Sequence, residues 1–251
     1  MYSFGAGVAF ATPNTDAYGA VVANPTPLMF MTTEDVEIDF KFDTKELFGQ
    51  NQFSVAIGRA KGTISGKVKS ANILPGMLET IVFGQAGTAG LMAVRQDTVG
   101  TTIAATVTPT IPNTGTFAAD LGVISATTGQ PYTRVSSAPV TGQYSIAAGV
   151  YTFAAADVGK VVYINFRYTA ASVTAARQIA LKSLPMGYAP TFRLDQYATY
   201  QGESLLFSFN NCVADGIKFD FKNDDFTIPD MGFKICSDAG GNIGTLSVLD
   251  L

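Results

Sequence analysis

The chain has 251 residues and a net charge of −4, with 20 acidic and 16 basic side chains and no histidine. The absence of histidine excludes Ser–His–Asp and Cys–His catalysis and His-ligated zinc, and the acidic balance does not fit a nucleic-acid-binding protein. Only 14% of the residues are charged and 47% are apolar, so the chain is expected to bury surface against copies of itself or to lie in a membrane. Its uncharged stretches are rich in Thr, Gly and Pro, which predicts no membrane span and favours burial in an assembly.

Residues 1–33 are predicted to be an N-terminal arm outside the core. They contain one charged side chain, Asp16, and several prolines, a composition typical of an irregular segment. We expect this arm to become ordered only on assembly. No Lys or Arg precedes Lys41, so a secretory signal peptide is not predicted and a product made in the cytoplasm is expected.

The stretch "VEIDFKFD" alternates apolar and charged side chains, as a strand with two unlike faces does. Strands are predicted at 35–43 and 52–69, joined by "DTKELFGQNQ". The charged side chains fit a solvated outer face, and they fit equally well a surface that meets other copies or lines a passage. Phe40 and Phe42, like Phe219 and Phe221 of "IKFDFK", are expected in the core because Phe is commonly buried.

One short flanking α-helix is predicted at about 75–83. Pro75 lies at its start, the apolar residues of "MLETIV" have helical spacing, and Gly84 follows as a stop signal. From 86 to 178 the charge thins, and this low-charge region is a possible insertion into a single domain spanning 34–251. Strands are predicted within it at 102–108, 132–136, 150–153 and 160–170.

The last third of the chain returns to charged, aromatic strands. They are predicted in "PTFRLDQYATY", "ESLLFSFNNCVA", "GIKFDFKND", "MGFKICSD" and "IGTLSVLDL". Many short strands separated by Gly, Asn and Asp turns predict an all-β fold, either a β-sandwich or a barrel.

Neither the cysteines nor the acidic loops point to a reactive site. Cys212 and Cys236 are expected to be small buried apolar residues rather than a disulfide, because a reducing compartment is expected. The acidic residues of "KNDDF" and "CSDAGGN" lack calcium-ligand spacing and are interpreted as turns. We therefore predict no enzyme activity, no cofactor and no metal.

Two long stretches of the sequence carry a family likeness: "TKELFGQNQFSVAIGRAKGTISGKVKSANILPGMLETIVFG" and "MGYAPTFRLDQYATYQGESLLFSFNNCVADGIKFDFKNDDFTIPDMGFKICSDAGGNIGTLSV". Both resemble the tail tube (major tail) proteins of long-tailed bacteriophages. A third, "GQYSIAAGVYTFAAADVGKVVYINFRYTA", is similar to a segment of virion proteins from the same group. The chain departs from the pattern at "QFSVAIGRA", where serine replaces an expected proline.

The resemblance implies a β-sandwich subunit that forms hexameric rings, which stack into a tube in the virion tail. Such a tube contacts other tail proteins, such as a terminator or a baseplate or tip protein, and conducts genomic DNA through its lumen without binding it specifically. From the alternation of faces, seven residues are the candidates for ring- or lumen-forming positions: Glu37, Asp39, Lys41, Asp43, Lys61, Lys67 and Lys69.

Three other functions stay open at this point. The chain could be another virion structural protein, such as a tail terminator or a capsid decoration protein, or the tube protein of a contractile injection system. A sugar-cleaving β-sandwich enzyme is the weakest alternative, because it needs paired carboxylates facing one cleft.

Overall fold

The computed structural model describes residues 5–50, 52–72 and 74–249. These belong to two compact units, the first drawn from residues 1–86 and 180–251 and the second from residues 87–179. The limits of the second unit lie within one residue of 86–178, where the composition changes. That these residues are an insertion stays a prediction.

The strands and short helical segments follow in chain order. The first unit starts with β1 (Val8–Thr15), β2 (Leu28–Phe30), β3 (Thr33–Phe48), β4 (Ser54–Ser70) and a helical segment, Met77–Val82. The second unit contains β5 (Thr88–Ala89), β6 (Leu91–Arg95), β7 (Thr101–Thr102), β8 (Thr106–Val107), a 3₁₀ turn (Pro112–Thr114), β9 (Thr116–Ser125), β10 (Thr133–Arg134), β11 (Gln143–Ala147), β12 (Val150–Phe153), a 3₁₀ turn (Ala155–Asp157), β13 (Val161–Ala170) and β14 (Arg177–Gln178). The first unit is completed by β15 (Thr191–Tyr200), β16 (Glu203–Lys218), β17 (Asp230–Ile235) and β18 (Gly244–Leu249). The predicted all-β fold is confirmed.

The strands of the first unit form one sheet in the order β2-β1-β15-β16-β17-β4-β3, with β18 also paired to β16. β15 and β18 flank the first half of β16, and β17 pairs with its second half, from Cys212 to Lys218. β2 and β3 end the strand order on opposite sides but are joined by Met31 and Thr32 alone. Phe30 and Thr33 are three residue steps apart, so their Cα atoms lie within about 11 Å of each other, and the sheet curls back on itself in a sandwich-like arrangement.

The curled sheet encloses the core of the first unit, and the helical segment contributes to it from one side. The buried cluster comprises Ala9, Ala11, Phe30, Val68, Met77, Ile81, Phe192, Leu194, Phe209, Cys212, Met231 and Phe233. Gly66 lies opposite Phe233 in the sheet, and a Cβ at Gly66 would come within 2.5 Å of Phe233 Cζ. Glycine is therefore required at this position for the aromatic ring to lie across the strand.

The prediction that residues 1–33 stay outside the core is wrong for β1 and β2. β1 pairs with β15 along its length, and β2 pairs with β1. The side chains of Ala9, Ala11 and Phe30 are buried. Alanine and proline are weak signals for a strand, so the sequence did not predict β1. Its partner strand, β15, lies far along the chain. Residues 1–4 lie outside the described residues.

The predicted short helix is present, but its hydrogen bonding is mainly of the π type. The backbone N–H of Phe83 donates to the carbonyl of Leu78, five residues earlier, at 3.0 Å. Met77 and Ile81 face the core. Of the four apolar residues at helical spacing, Met77 and Ile81 are buried and Leu78 and Val82 are partly buried, but Glu79 is buried as well. The α-helical type was wrong.

The predicted connection "DTKELFGQNQ" is largely strand. β3 and β4 pair from Thr33 and Ser70 out to Phe48 and Ser54. The segment "FDFKND" after Lys218 is not in a strand. Phe40, Phe42 and Phe221 are 46%, 50% and 82% exposed and Phe219 is half-buried, so the prediction that these phenylalanines lie in the core is wrong. Residues 250 and 251 of the last predicted strand lie outside the described residues.

The second unit is a separate sandwich-like pair of sheets. One has the order β10-β11-β12-β8, and in the other β13 pairs with β6, β7 and β9. Its core is rich in aromatic side chains, including Tyr144, Tyr151 and Phe166. The buried Asp120 carboxylate accepts hydrogen bonds from the hydroxyls of Tyr144 (2.7 Å) and Tyr151 (3.0 Å).

Strand predictions in the second unit succeeded where residues alternate strongly. The strands at 150–153 and 160–170 are confirmed as β12 and β13. The predicted strand at 102–108 is divided into β7 and β8, and that at 132–136 is reduced to β10. β5, β6, β9, β11 and β14 were not predicted.

Cys212 and Cys236 are both free thiols. Cys212 is buried as expected, and burial raises the pKa of its thiol to about 12. Cys236 is exposed, so the expectation of burial is wrong for this residue. Among the described residues, no helix is both long enough and apolar enough to cross a membrane.

Candidate functional site

β3, β4, β17 and the second half of β16 form a four-stranded antiparallel region with two unlike faces. Residues directly opposite each other in antiparallel strands share a face. The register sets Val36 beside Val68 and Val68 beside Met231, on the side of the core. It sets Glu37 beside Lys67 on the other side. We call that side the charged face; it consists of Asp35, Glu37, Asp39, Lys41, Lys67, Lys69, Asp215, Lys218, Asp230 and Lys234.

The charged face holds acidic and basic side chains in equal number, and several form ion pairs. Lys41 Nζ lies 2.7 Å from the Asp39 carboxylate, and Lys69 Nζ lies 3.4 Å from that of Asp35. The hydrogen bond to Asp39 raises the pKa of Lys41 above its usual value. Exposed pairs of this kind contribute little to stability. Because its acidic and basic side chains are equal in number, the charged face is balanced in charge rather than acidic.

The structure brings together five of the seven predicted site residues. Glu37, Asp39, Lys41, Lys67 and Lys69 share the charged face. The other two lie farther out along the hairpin, where the register shifts between Phe42 and Thr44. They are Asp43 and Lys61, and both are exposed.

Five further members of the charged face are not among the seven predicted site residues: Asp35, Asp215, Lys218, Asp230 and Lys234. The alternation in "IKFDFK" and "MGFKIC" signalled a strand with two faces. Only the pairing of β17 with β4 and β16 shows that these strands continue the same surface.

The four-stranded region has two edges without a partner strand among the described residues. One edge is β3, which ends the strand order. The other is the part of β16 after Cys212, up to Lys218, because β15 pairs with β16 only from Glu203 to Cys212. Hydrogen-bonded and non-hydrogen-bonded positions alternate in antiparallel pairs. The backbone N–H of Ser70 donates a hydrogen bond to the carbonyl of Pro229. Ser70 and every second residue before it in β4 therefore have their backbone hydrogen bonds to β17, and the residues between them have theirs to β3.

The same alternation fixes which backbone groups point outward from the two edges. On β3 they belong to Val36, Ile38, Phe40 and Phe42, and on β16 to Ile217. All of these residues have their side chains on the apolar side of the sheet. Each edge therefore offers unpaired backbone groups at apolar positions.

Beyond Ile64, where pairing with β17 ends, the hairpin continues as a two-stranded ribbon, residues 41–63. An apolar groove of about 650 Å³ opens at the base of this ribbon. It is lined by uncharged residues from β3, β4, β16, the end of β17 and the start of β18: Phe40, Phe42, Gly62, Ile64, Phe207, Phe209, Ile235, Cys236, Ser237, Ile243, Gly244, Thr245 and Leu246. The rings of Phe207 and Phe209 each lie 6.3 Å from that of Phe40.

The acidic loop at Asp238 is a turn, as interpreted from the sequence. Its carboxylate accepts hydrogen bonds from the backbone of Gly240 (2.9 Å) and Asn242 (2.8 Å). These bonds, first among them the one from Asn242, lower the pKa of Asp238. In the part of the chain that the structure describes, no three His, Cys, Asp or Glu side chains are grouped as a metal site.

Comparison with known proteins gives no family assignment. No protein-family model matches the chain, and no curated protein matches it significantly.

Proposed function

We propose that the chain is a structural subunit of a bacteriophage tail tube, assembling into rings that stack around a central passage for DNA. The observation that carries this proposal is the four-stranded region with one charged face, one apolar face and two unpaired edges. The kind of assembly is inferred from the sequence, because the long hairpin and the C-terminal strands resemble those of tail tube proteins. Rings of six copies are part of that expectation.

Ring closure fits the directions of the strands. The order β3-β4-β17-β16 is antiparallel throughout, so β3 and β16 run in opposite directions. Rotation about a common axis preserves strand direction, so β3 of the next copy would lie antiparallel to β16. Closing the sheet in this way leaves no edge to recruit other chains.

The two faces also match across such a joint. Both edges present their backbone groups at apolar positions, and opposite residues of an antiparallel pair share a face. Ile217 of one copy would therefore lie beside an apolar residue of β3, and the charged faces would be continuous. In a ring this surface lines the passage, and its balanced charge gives phosphates no basic track to bind.

Electron microscopy of the concentrated, purified chain tests the proposal. Stacked rings or tubes with an open lumen are the expected result. Single closed rings would instead favour a tail terminator. A chain that remains a compact monomer at high concentration would contradict every one of these assemblies.

A further inference from the structure

The second unit has an open cleft where three of its loops meet. The cleft lies between the turn after β9, the loop before β11 and the segment that joins the second 3₁₀ turn to β13. Its volume of about 490 Å³ lies within the range of roughly 300–1,000 Å³ typical of small-molecule sites. Its lining combines hydroxyl and amide side chains with the rings of Pro131 and Tyr132. We call it the polar cleft.

The fully buried carboxylate of Asp157 holds two of these loops together. It accepts a hydrogen bond from the backbone N–H of Gly142 at 2.7 Å and another from Lys160 Nζ at 2.7 Å. The third loop is closed by a hydrogen bond from the backbone N–H of Ser125 to the carbonyl of Gln130 at 2.9 Å. Because all three loops are fixed by such bonds, the polar cleft is formed before any ligand arrives.

Four side chains of the polar cleft have hydrogen-bonding capacity that the described part of the chain does not use. The amide of Gln130 and the hydroxyls of Thr127, Tyr132 and Thr141 form no hydrogen bond with any described residue. Burial, and after it the charge of Asp157, raise the pKa of Tyr132, so its hydroxyl stays protonated and can donate. These groups can therefore both donate to a ligand and accept from it.

The ring of Tyr132 adds an apolar surface to the polar cleft. On one side it meets Phe153 edge to face, with the ring centres 6.1 Å apart. Tyr132 nevertheless remains half-buried, and Pro131 beside it is exposed. Parts of both rings are therefore accessible to a ligand that has an apolar face.

The charges of the polar cleft select an uncharged ligand. Among the described residues that line it, Lys160 and Asp157 alone are charged, and they are paired at 2.7 Å. A phosphate or a nucleic acid would therefore find no unpaired cation. A wholly apolar ligand would displace water from the four polar side chains without replacing its hydrogen bonds.

We propose that the polar cleft binds a neutral saccharide. The hydroxyls of a sugar ring donate and accept hydrogen bonds around its edge, and its C–H groups form an apolar face that can pack on Tyr132. Cleavage is not expected, because Asp157 is the one carboxylate among the described lining residues and glycoside hydrolysis normally uses two. All lining residues belong to the second unit, so the inference is independent of the proposed tube function.

Saturation-transfer difference NMR with the full-length chain tests this binding, because it observes the ligand and tolerates assembled protein. The probes are glucose, galactose, mannose and N-acetylglucosamine, with the disaccharides maltose, lactose and chitobiose. At least one probe should receive saturation from the protein. A stronger signal from a disaccharide would identify a glycan chain as the ligand, and an equal signal would identify a single sugar. Saturation of none of these probes would overturn the inference.

Two substitutions locate the binding in the polar cleft. Gln130→Ala and Thr141→Val should each weaken binding of the responding probe by about five-fold, the effect expected from one lost hydrogen bond. Both residues are exposed, so the melting temperature should not change. Gln96→Ala, at an exposed glutamine outside the polar cleft, is the matched control and should bind as wild type does. Unchanged binding by both cleft variants, or equal weakening by Gln96→Ala, would overturn the assignment.

Two charged probes test whether the ligand is neutral. Inorganic phosphate should not reduce the signal of the responding sugar, because Lys160 is already paired with Asp157. Glucuronate should bind no more tightly than glucose. Displacement of the sugar by phosphate, or binding of glucuronate without binding of any neutral sugar, would contradict a neutral saccharide as the ligand.

Discussion

At the scale of single residues, the molecule depends on positions whose roles the sequence pattern does not reveal. Gly66 lies inside a regular strand, where glycine weakens the sheet, yet the ring of Phe233 occupies the space of its missing Cβ. Asp97 in the second unit is another such residue. Its carboxylate accepts hydrogen bonds from Val99 N, Gly100 N and Thr101 Oγ1 and so fixes the loop that leads into β7.

Replacing Asp97 with Asn should destabilise the chain by about 1–2 kcal/mol at pH 7, since hydrogen bonds to a charged group are lost. Burial acts to raise the pKa of Asp97, but the donors at Gly100, Thr101, Ile164 and Val99 outweigh it and lower the pKa overall. A lowered pKa means that the stabilisation is present above the unfolded value of about 3.9 and is lost as the pH falls through the folded value.

Calorimetry of wild type and Asp97→Asn at pH 7 and near pH 2 measures this difference. The gap between the two proteins should narrow as the pH falls through the lowered pKa of Asp97, because protonation removes the charge that its hydrogen-bond donors stabilise. Thr98→Ala, a substitution at the exposed neighbouring position, serves as the control. A gap that is independent of pH would show that the charge of Asp97 is not the cause.

At the scale of elements, β3 has an outer edge that the described strands leave unpaired. The backbone N–H of Phe40 points to this edge, and its ring lies near Phe207 and Phe209. Natural sheets commonly protect such an edge with charges, proline or a covering element. β3 contains no proline, and its charges lie on one face, whereas the residues whose backbone groups point outward are apolar. This favours pairing with another copy.

Phe40→Pro should abolish ring formation while leaving the monomer folded, because proline removes an N–H that the isolated subunit does not use in the ladder with β4. Phe40→Ala is the matched control, since it removes the aromatic side chain and keeps the backbone N–H. Size-exclusion chromatography with light scattering, together with circular dichroism, distinguishes the outcomes. Equal assembly by the two variants would contradict edge pairing through β3.

At the scale of the whole molecule, the chain consists of two compact units, the second of which begins and ends at one place. β5 and β14 pair, with Arg177 opposite Ala89 and Gln178 opposite Thr88. Opposite residues of an antiparallel pair are about 5 Å apart, so the chain enters and leaves this unit side by side. The core of each unit is formed from its own residues.

Deleting residues 87–179 and joining the ends with a short Gly-Ser linker should leave the first unit folded and able to assemble. The isolated segment 87–179 should fold as a monomer, since its buried cluster is complete within it. Cooperative thermal unfolding of each product, with electron microscopy of the deletion variant, measures this. A deletion variant that unfolds or aggregates would show that the first unit depends on the second.

The sequence by itself determined the all-β class, the two unlike faces of the long hairpin and the presence of the helical segment. These features are local, because side chains alternate every second residue in a strand and recur every third or fourth in a helix. Composition alone also marked the change near residue 86. Each could be predicted because neighbours along the chain decide it.

The tertiary structure decided what depends on partners far along the chain. It placed β1 in the core through its pairing with β15, and it assembled the charged face from β3, β4, β17 and β16. Phe40 and Phe42 have the same alternation as Val36 and Ile38, yet they lie where the strand has passed the end of the core. Burial depends on what lies opposite a side chain, and long-range strand pairing alone supplies that information.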